Sequence, residues 1–155
     1  MRRVCSGPVL LAFVCGLAGT AAAAEVAWAR SYEAGLARVR AEKKPVMIDL
    51  YTDWCGWCKR LDEDVYTNES IAGLSKQFVC IKLNPEKDKK NGKKFKVEGF
   101  PTIIFLNARG AEVNRIGGYL AAPKFAEEMK KALAAAGVKG PAKESEKGKG
   151  EDAEK

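Results

Sequence analysis

The chain has 155 residues, 46% hydrophobic and 30% charged, with a formal charge of +7. That length suits one domain with appendages. The basic excess does not point to nucleic acid, because no arginine and only one aromatic residue, Phe95, is interleaved with the lysines of its densest run.

In chain order, residues 1–24 read as a signal peptide. Arg2 and Arg3 precede a short apolar run, Val9 to Leu17, and Ala22-Ala23-Ala24 places cleavage before Glu25. The run is short for a membrane span, which needs about 20 residues. An exported, periplasmic chain is therefore expected, with a retained N-terminal anchor as the alternative. Cleavage would remove Cys5 and Cys15 and leave Cys55, Cys58 and Cys80, too few for a disulfide framework but suited to one active pair and one buried thiol. No other segment is apolar and long enough to cross a membrane.

Ser31 to Ala41 has helical spacing of Tyr32, Leu36 and Val39, with Ser31 as cap and Lys43-Lys44-Pro45 as stop. Val46 to Thr52 is apolar enough for a central strand covered on both faces. A helix is expected from Cys55 to about Tyr66, and a second, capped by Asn68, from Glu69 to Lys76. Phe78 to Leu83 reads as a buried strand. Pro85 to Asn91 reads as a polar loop, followed by a short helical piece carrying Phe95 and Val97. Pro101 to Leu106 and Glu112 to Ile116 form a hairpin across the turn Asn107-Ala108-Arg109-Gly110. After Gly117-Gly118, Pro123 opens a last helix that ends at Gly137. From 138 to 155 the chain holds five lysines, five acids and no aromatic residue, the composition of a disordered tail. Between Lys82 and Lys96, seven lysines face only Glu86 and Asp88. This run is either a solvated face or a patch for an acidic partner.

The expected fold class is α/β, a mixed sheet with helices on both faces, over residues 25–137. The chemistry concentrates in Trp54-Cys55-Gly56-Trp57-Cys58-Lys59, just past a strand. Disulfide exchange needs a thiolate, and a cysteine in the first turn of a helix meets unpaired N–H groups and the positive dipole end. Cys55 is thus the expected nucleophile and Cys58, one turn inward, the resolving thiol. Trp54 and Trp57 supply apolar bulk to rest against a partner, and Gly56 is expected to let the turn tighten. Asp49, an acid inside an apolar strand, is the expected proton acceptor for Cys58, with an edge position facing solvent as the alternative. Lys82 is a candidate partner for it. Phe100-Pro101-Thr102 reads as a cis-proline turn, leaving Phe100 main-chain groups free to pair with a substrate strand. Cys80 reads as a buried, inert thiol.

Together, Asp49, the Trp54–Lys59 motif, Lys82-Leu83-Asn84, Gly99-Phe100-Pro101-Thr102 and Gly117-Gly118 resemble the thioredoxin superfamily, over roughly residues 30 to 136. Lys44 to Cys55 is most similar to the DsbD C-terminal-domain group. The resemblance implies a thioredoxin-like fold and a thiol–disulfide oxidoreductase with catalytic Cys55, Cys58, Asp49 and Pro101. Trp54, Gly56, Trp57 and Lys82 support them, and Phe100, Thr102 and Gly117 bind substrate. It implies no cofactor beyond the Cys55–Cys58 disulfide and no metal. It also implies a monomer, disulfide-containing protein substrates and a membrane-bound electron donor of the DsbD type. Gly56-Trp57 is neither the Gly-Pro of cytosolic thioredoxins nor a His-containing oxidase pair, and the absence of histidine favours a reductase. An oxidase or isomerase of the same fold, a module using Cys55 and Cys58 as metal ligands, and a non-catalytic binding domain are the rival readings.

Overall fold

The computed structural model describes residues 25–138. The predicted signal peptide and all but the first residue of the predicted tail lie outside that range. A five-stranded mixed sheet runs in the order β1-β3-β2-β4-β5. Its strands are β1 (Trp28–Ala29), β2 (Val46–Leu50), β3 (Val79–Leu83), β4 (Thr102–Leu106) and β5 (Glu112–Gly117). The helices are α1 (Tyr32–Glu42), α2 (Gly56–Asp64), α3 (Glu69–Ser75), α4 (Lys89–Gly92) and α5 (Ala122–Ala135), with a 3₁₀ turn at Lys93–Phe95. β3 runs parallel to β1 and β2, whereas β4 is antiparallel to β2 and β5.

Two differences from the sequence reading have simple causes. β1 is only two residues long, too short to leave a period-two signature, and it exists because β3 offers a parallel partner. Helix α4 begins inside the expected loop because Asp88 caps it, accepting from the Asn91 N–H at 3.1 Å.

β2 is buried throughout, and its pleat divides the core. Val46, Ile48 and Leu50 join Tyr32, Val39, Val79, Ile81 and Phe95 on the α1 side. Met47 joins Leu61, Val65, Phe78, Phe105, Phe125 and Met129 beneath α2, α3 and α5. By the same alternation Asp49 shares the Met47 face, under α2. Each fully buried aliphatic or aromatic side chain here contributes about 1.5–3 kcal/mol relative to exposure.

Local signals end the helices as physics requires. Ser31 caps α1 by accepting from the Ala34 N–H at 3.1 Å, and Asn68 caps α3. At the end of α5, Gly137 takes φ 78°, and the Val138 N–H donates to the Leu133 carbonyl. Val138 thereby packs on the core, so the folded unit reaches one residue past its expected limit at 137.

Candidate active site

Helix α2 begins immediately after Cys55, which caps it: the Cys58 N–H donates to Cys55 Sγ at 3.1 Å. The two sulfurs are bonded at 2.07 Å, with Cα atoms 5.3 Å apart. The helix start directs an N–H at the sulfur that must carry negative charge during exchange. Both cysteines are nearly covered in this disulfide form, Cys55 at 5% exposure and Cys58 at 3%. The difference in accessibility expected between them is therefore slight here. Gly56 does not play its expected steric role, since a Cβ there would meet open space.

Trp54 and Trp57 are the exposed large hydrophobic residues among those described, at 68% and 55%. Each is held by a neighbour that sequence spacing does not reveal. Trp54 Nε1 donates to both Glu86 carboxylate oxygens, at 3.1 and 3.2 Å, and its ring meets Phe100 edge-on at 6.0 Å. The Glu86 loop is in turn organised by Asn84, whose Oδ1 accepts from the Glu86 N–H at 2.9 Å, and by the Lys87–Asp53 ion pair at 2.7 Å. Trp57 lies 5.4 Å from the Tyr119 ring, with the Arg60 guanidinium over both rings. These clamps restrict the tryptophans while leaving their faces to solvent, which limits the entropy lost when a partner docks.

Asp49 is buried, and neither of its carboxylate oxygens has a hydrogen-bond partner among the described residues. Burial pushes its pKa up to about 7; the Lys82 ammonium opposes that rise and Asp62 adds to it. Lys82 sits beside Asp49 across the β2–β3 register, with Nζ 3.8 Å from the carboxylate. Its shorter ion pair, however, is with Asp62 on α2, so the expected partner is only half of its environment. The rings of Trp28, Tyr51 and Tyr66 also lie 5.1 to 5.7 Å from Nζ. Cys58 and Asp62 are four apart and share one face of α2. The face of α2 that carries Cys58 is thus tied through Lys82 to Asp49. Asp62 was legible in principle from that i,i+4 spacing; Tyr66, whose hydroxyl is a further orphan raised well above the usual phenol range by burial, was not.

The Phe100–Pro101 peptide is cis. The Gly118 N–H closes this loop onto the Pro101 carbonyl at 2.8 Å, and Gly118 has φ +87°, a conformation that favours glycine. Thr102 Oγ1 donates to the Gly99 carbonyl at 2.7 Å, and Thr102 pairs with Gly117 in the sheet. Thr102 and Gly117 thus face each other where the hairpin meets the cis-proline loop. The Phe100 N–H and carbonyl have no hydrogen-bond partner among the described residues. Pro101, Phe100, Trp57, Gly118 and Tyr119 line one hollow of about 280 Å³. Phe100, Thr102, Gly117 and Gly118 also line a larger cleft of about 670 Å³.

Cys80 stands apart from this site. It is 1% exposed, burial pushes its thiol up to about 12, and its Sγ lies 3.6 Å from the Ser75 carbonyl. A thiol in that state holds no useful thiolate at neutral pH.

The sequence pattern of a thioredoxin-like domain matches residues 32–133. The chain belongs to the thioredoxin-like family. It is 34% identical over 102 residues to the thiol:disulfide interchange protein DsbD of Vibrio vulnificus, covering 62% of this chain and 17% of that protein. The chain thus spans about a sixth of that relative. A thioredoxin from Thermus thermophilus superposes with a TM-score of 0.66 at 22% identity, over 73% of this chain and 91% of that one. The oxidised C-terminal domain of DsbD from Neisseria meningitidis superposes with a TM-score of 0.58 at 19% identity, over 64% and 90%. A closed Cys-x-x-Cys pair at the start of a helix in a thioredoxin-like domain is an arrangement suited to thiol–disulfide exchange. Among the described residues, no group of three or more Cys, Asp or Glu is arranged to hold a metal, and no helix is long and apolar enough to cross a membrane.

Proposed function

We propose that the chain is an exported disulfide reductase of protein substrates, working in the periplasm and recharged by a membrane-bound donor of the DsbD type. The closed Cys55–Cys58 ring, capped by a backbone N–H and framed by two clamped, exposed tryptophans, carries the reading.

In the dithiol form, the Cys55 thiolate attacks one sulfur of a substrate disulfide. The Cys55–substrate bond forms, the substrate disulfide breaks, and its leaving thiolate takes a proton from solvent. Cys58 then gives its proton to Asp49 and attacks Cys55 Sγ. The Cys55–Cys58 bond forms, the Cys55–substrate bond breaks, and the second substrate sulfur departs as a thiolate that takes a proton from solvent. Two electrons have passed from protein to substrate, and the donor returns two to reopen the ring. Asp49 suits its role because a carboxyl near pH 7 accepts a proton without holding it permanently. Phe100 offers its free main-chain groups to an extended substrate segment beside Pro101.

The lack of histidine supports the reducing direction. No histidine is available to hold a thiolate, so the dithiol is not strongly favoured over the disulfide. Equilibration in dithiothreitol buffers tests this: a potential near about −270 mV fits a reductase, and one near about −120 mV marks an oxidant. Cys58→Ala stalls the mixed disulfide and captures the substrate, whereas insulin reduction retained in Cys55→Ser contradicts the mechanism.

A further inference from the structure

The lysine run between α4 and the cis-proline loop is built into the site's margin. Lys89, Lys93 and Lys96 line a hollow of about 320 Å³ that ends at Phe100. Lys96 and Phe100 also line the 670 Å³ cleft, together with Glu98 of the same loop and Arg115 and Gly117 of β5. Two depressions therefore share Phe100 and Lys96 and lead from the lysine face to the residue that precedes the cis-proline. Among the described residues, Lys89, Lys93 and Lys96 have no ion-pair partner, whereas Lys82 and Lys87 from the same run are paired and Lys94 donates to Asn91 at 2.7 Å. Of the acids nearby, Glu112 is paired with Arg115; Glu86, held by Trp54, and Asp88, held by Asn91, keep their charge beside the lysines of the run, and Glu98 is the one acid that lines the larger cleft.

We propose that this face is a docking surface for an acidic segment of the disulfide-bearing partner, lying next to its half-cystine. The inference deepens the reductase reading and rests on it. A partner strand that pairs with Phe100 continues over one of the two depressions, and glutamate or aspartate side chains there meet three uncommitted ammonium groups. Such charges concentrate and steer a partner before any short-range contact forms, by factors of 10 or more at low salt.

The test compares two disulfide-bonded peptides that differ only in about four residues beside the half-cystine, glutamate in one and glutamine in the other. At low ionic strength kcat/KM for the acidic peptide exceeds that for the neutral one by about 10-fold. The ratio falls to below about twofold near 1 M salt, where the screening length is about 3 Å. The double variant Lys89→Gln, Lys93→Gln reduces the low-salt ratio to below about threefold, and neutral-peptide turnover in the same sample reports that the protein is folded. A second double variant, Lys124→Gln with Lys130→Gln on α5, keeps the full ratio. Equal rates for the two peptides in the parent protein, or equal loss of the ratio in both double variants, overturn the docking surface and leave the reductase intact. Failure to reduce either peptide overturns the reductase reading and this inference with it.

Discussion

Replacing Asp49 by asparagine is expected to stabilise the oxidised protein, increasingly so as pH rises. The carboxyl sits at about 7 instead of the usual 3.8, with burial as the dominant cause. The native state therefore holds this proton more tightly than the unfolded chain does. Between those two values folding takes up a proton, so stability falls as pH rises, and the full penalty is present above about pH 7. A shift of this size at about 1.4 kcal/mol per unit amounts to about 4 kcal/mol on the alkaline side. The same relation leaves less than half of that near pH 5 and almost nothing near pH 3. Asparagine keeps the shape and removes the ionisation, and Lys82 keeps its pair with Asp62. Urea unfolding of parent and variant between about pH 4 and pH 8 measures the difference. It should widen by about 2–3 kcal/mol from pH 5 to pH 8. A flat difference refutes the claim that a buried, strained carboxylate lies under α2, and a widening in the opposite sense refutes the sign. The same variant should resolve mixed disulfides more slowly, because Cys58 loses its proton acceptor.

Three further outcomes are expected. Lys82→Gln raises the pKa of Asp49 and Asp62→Asn lowers it, since the ammonium opposes the carboxyl's rise and the second acid adds to it; carboxyl carbon shifts followed by NMR titration read both directions. Gly35→Ala drives a Cβ into the Ile81 side chain in the packed α1 layer, which is destabilising by about 1–3 kcal/mol, whereas Gly73→Ala and Gly56→Ala meet open space and leave the unfolding midpoint unchanged or raised. Cys80 stays unmodified by a maleimide at neutral pH while the protein is folded and reacts once urea unfolds it, as mass spectrometry of the oxidised protein should record.

Much of the architecture follows from local signals that act over a few residues. The runs at Val46, Val79 and Thr102 are mostly apolar because their strands are covered on both faces, and the caps at Ser31 and Asn68 are legible because a short polar side chain must satisfy the first free N–H groups. Cys55 and Cys58 were legible for a similar reason, since a three-residue spacing at a helix start is a local constraint. β1 and α4 were not, because one depends on a partner strand far along the chain and the other on a single cap.

The chain by itself therefore determined the order of elements, the redox pair and the identity of an acid in an apolar strand. Tertiary structure alone decided what those groups meet. Lys82 lies between Asp49 and Asp62 because β3 runs beside β2 beneath α2. Trp54 is held by Glu86, 32 residues away, and three lysines of an ordinary-looking charge run come to border Phe100. Distances between segments depend on how the sheet and helices pack, and burial sets the carboxyl's pKa. Neither quantity has a local trace in the order of residues.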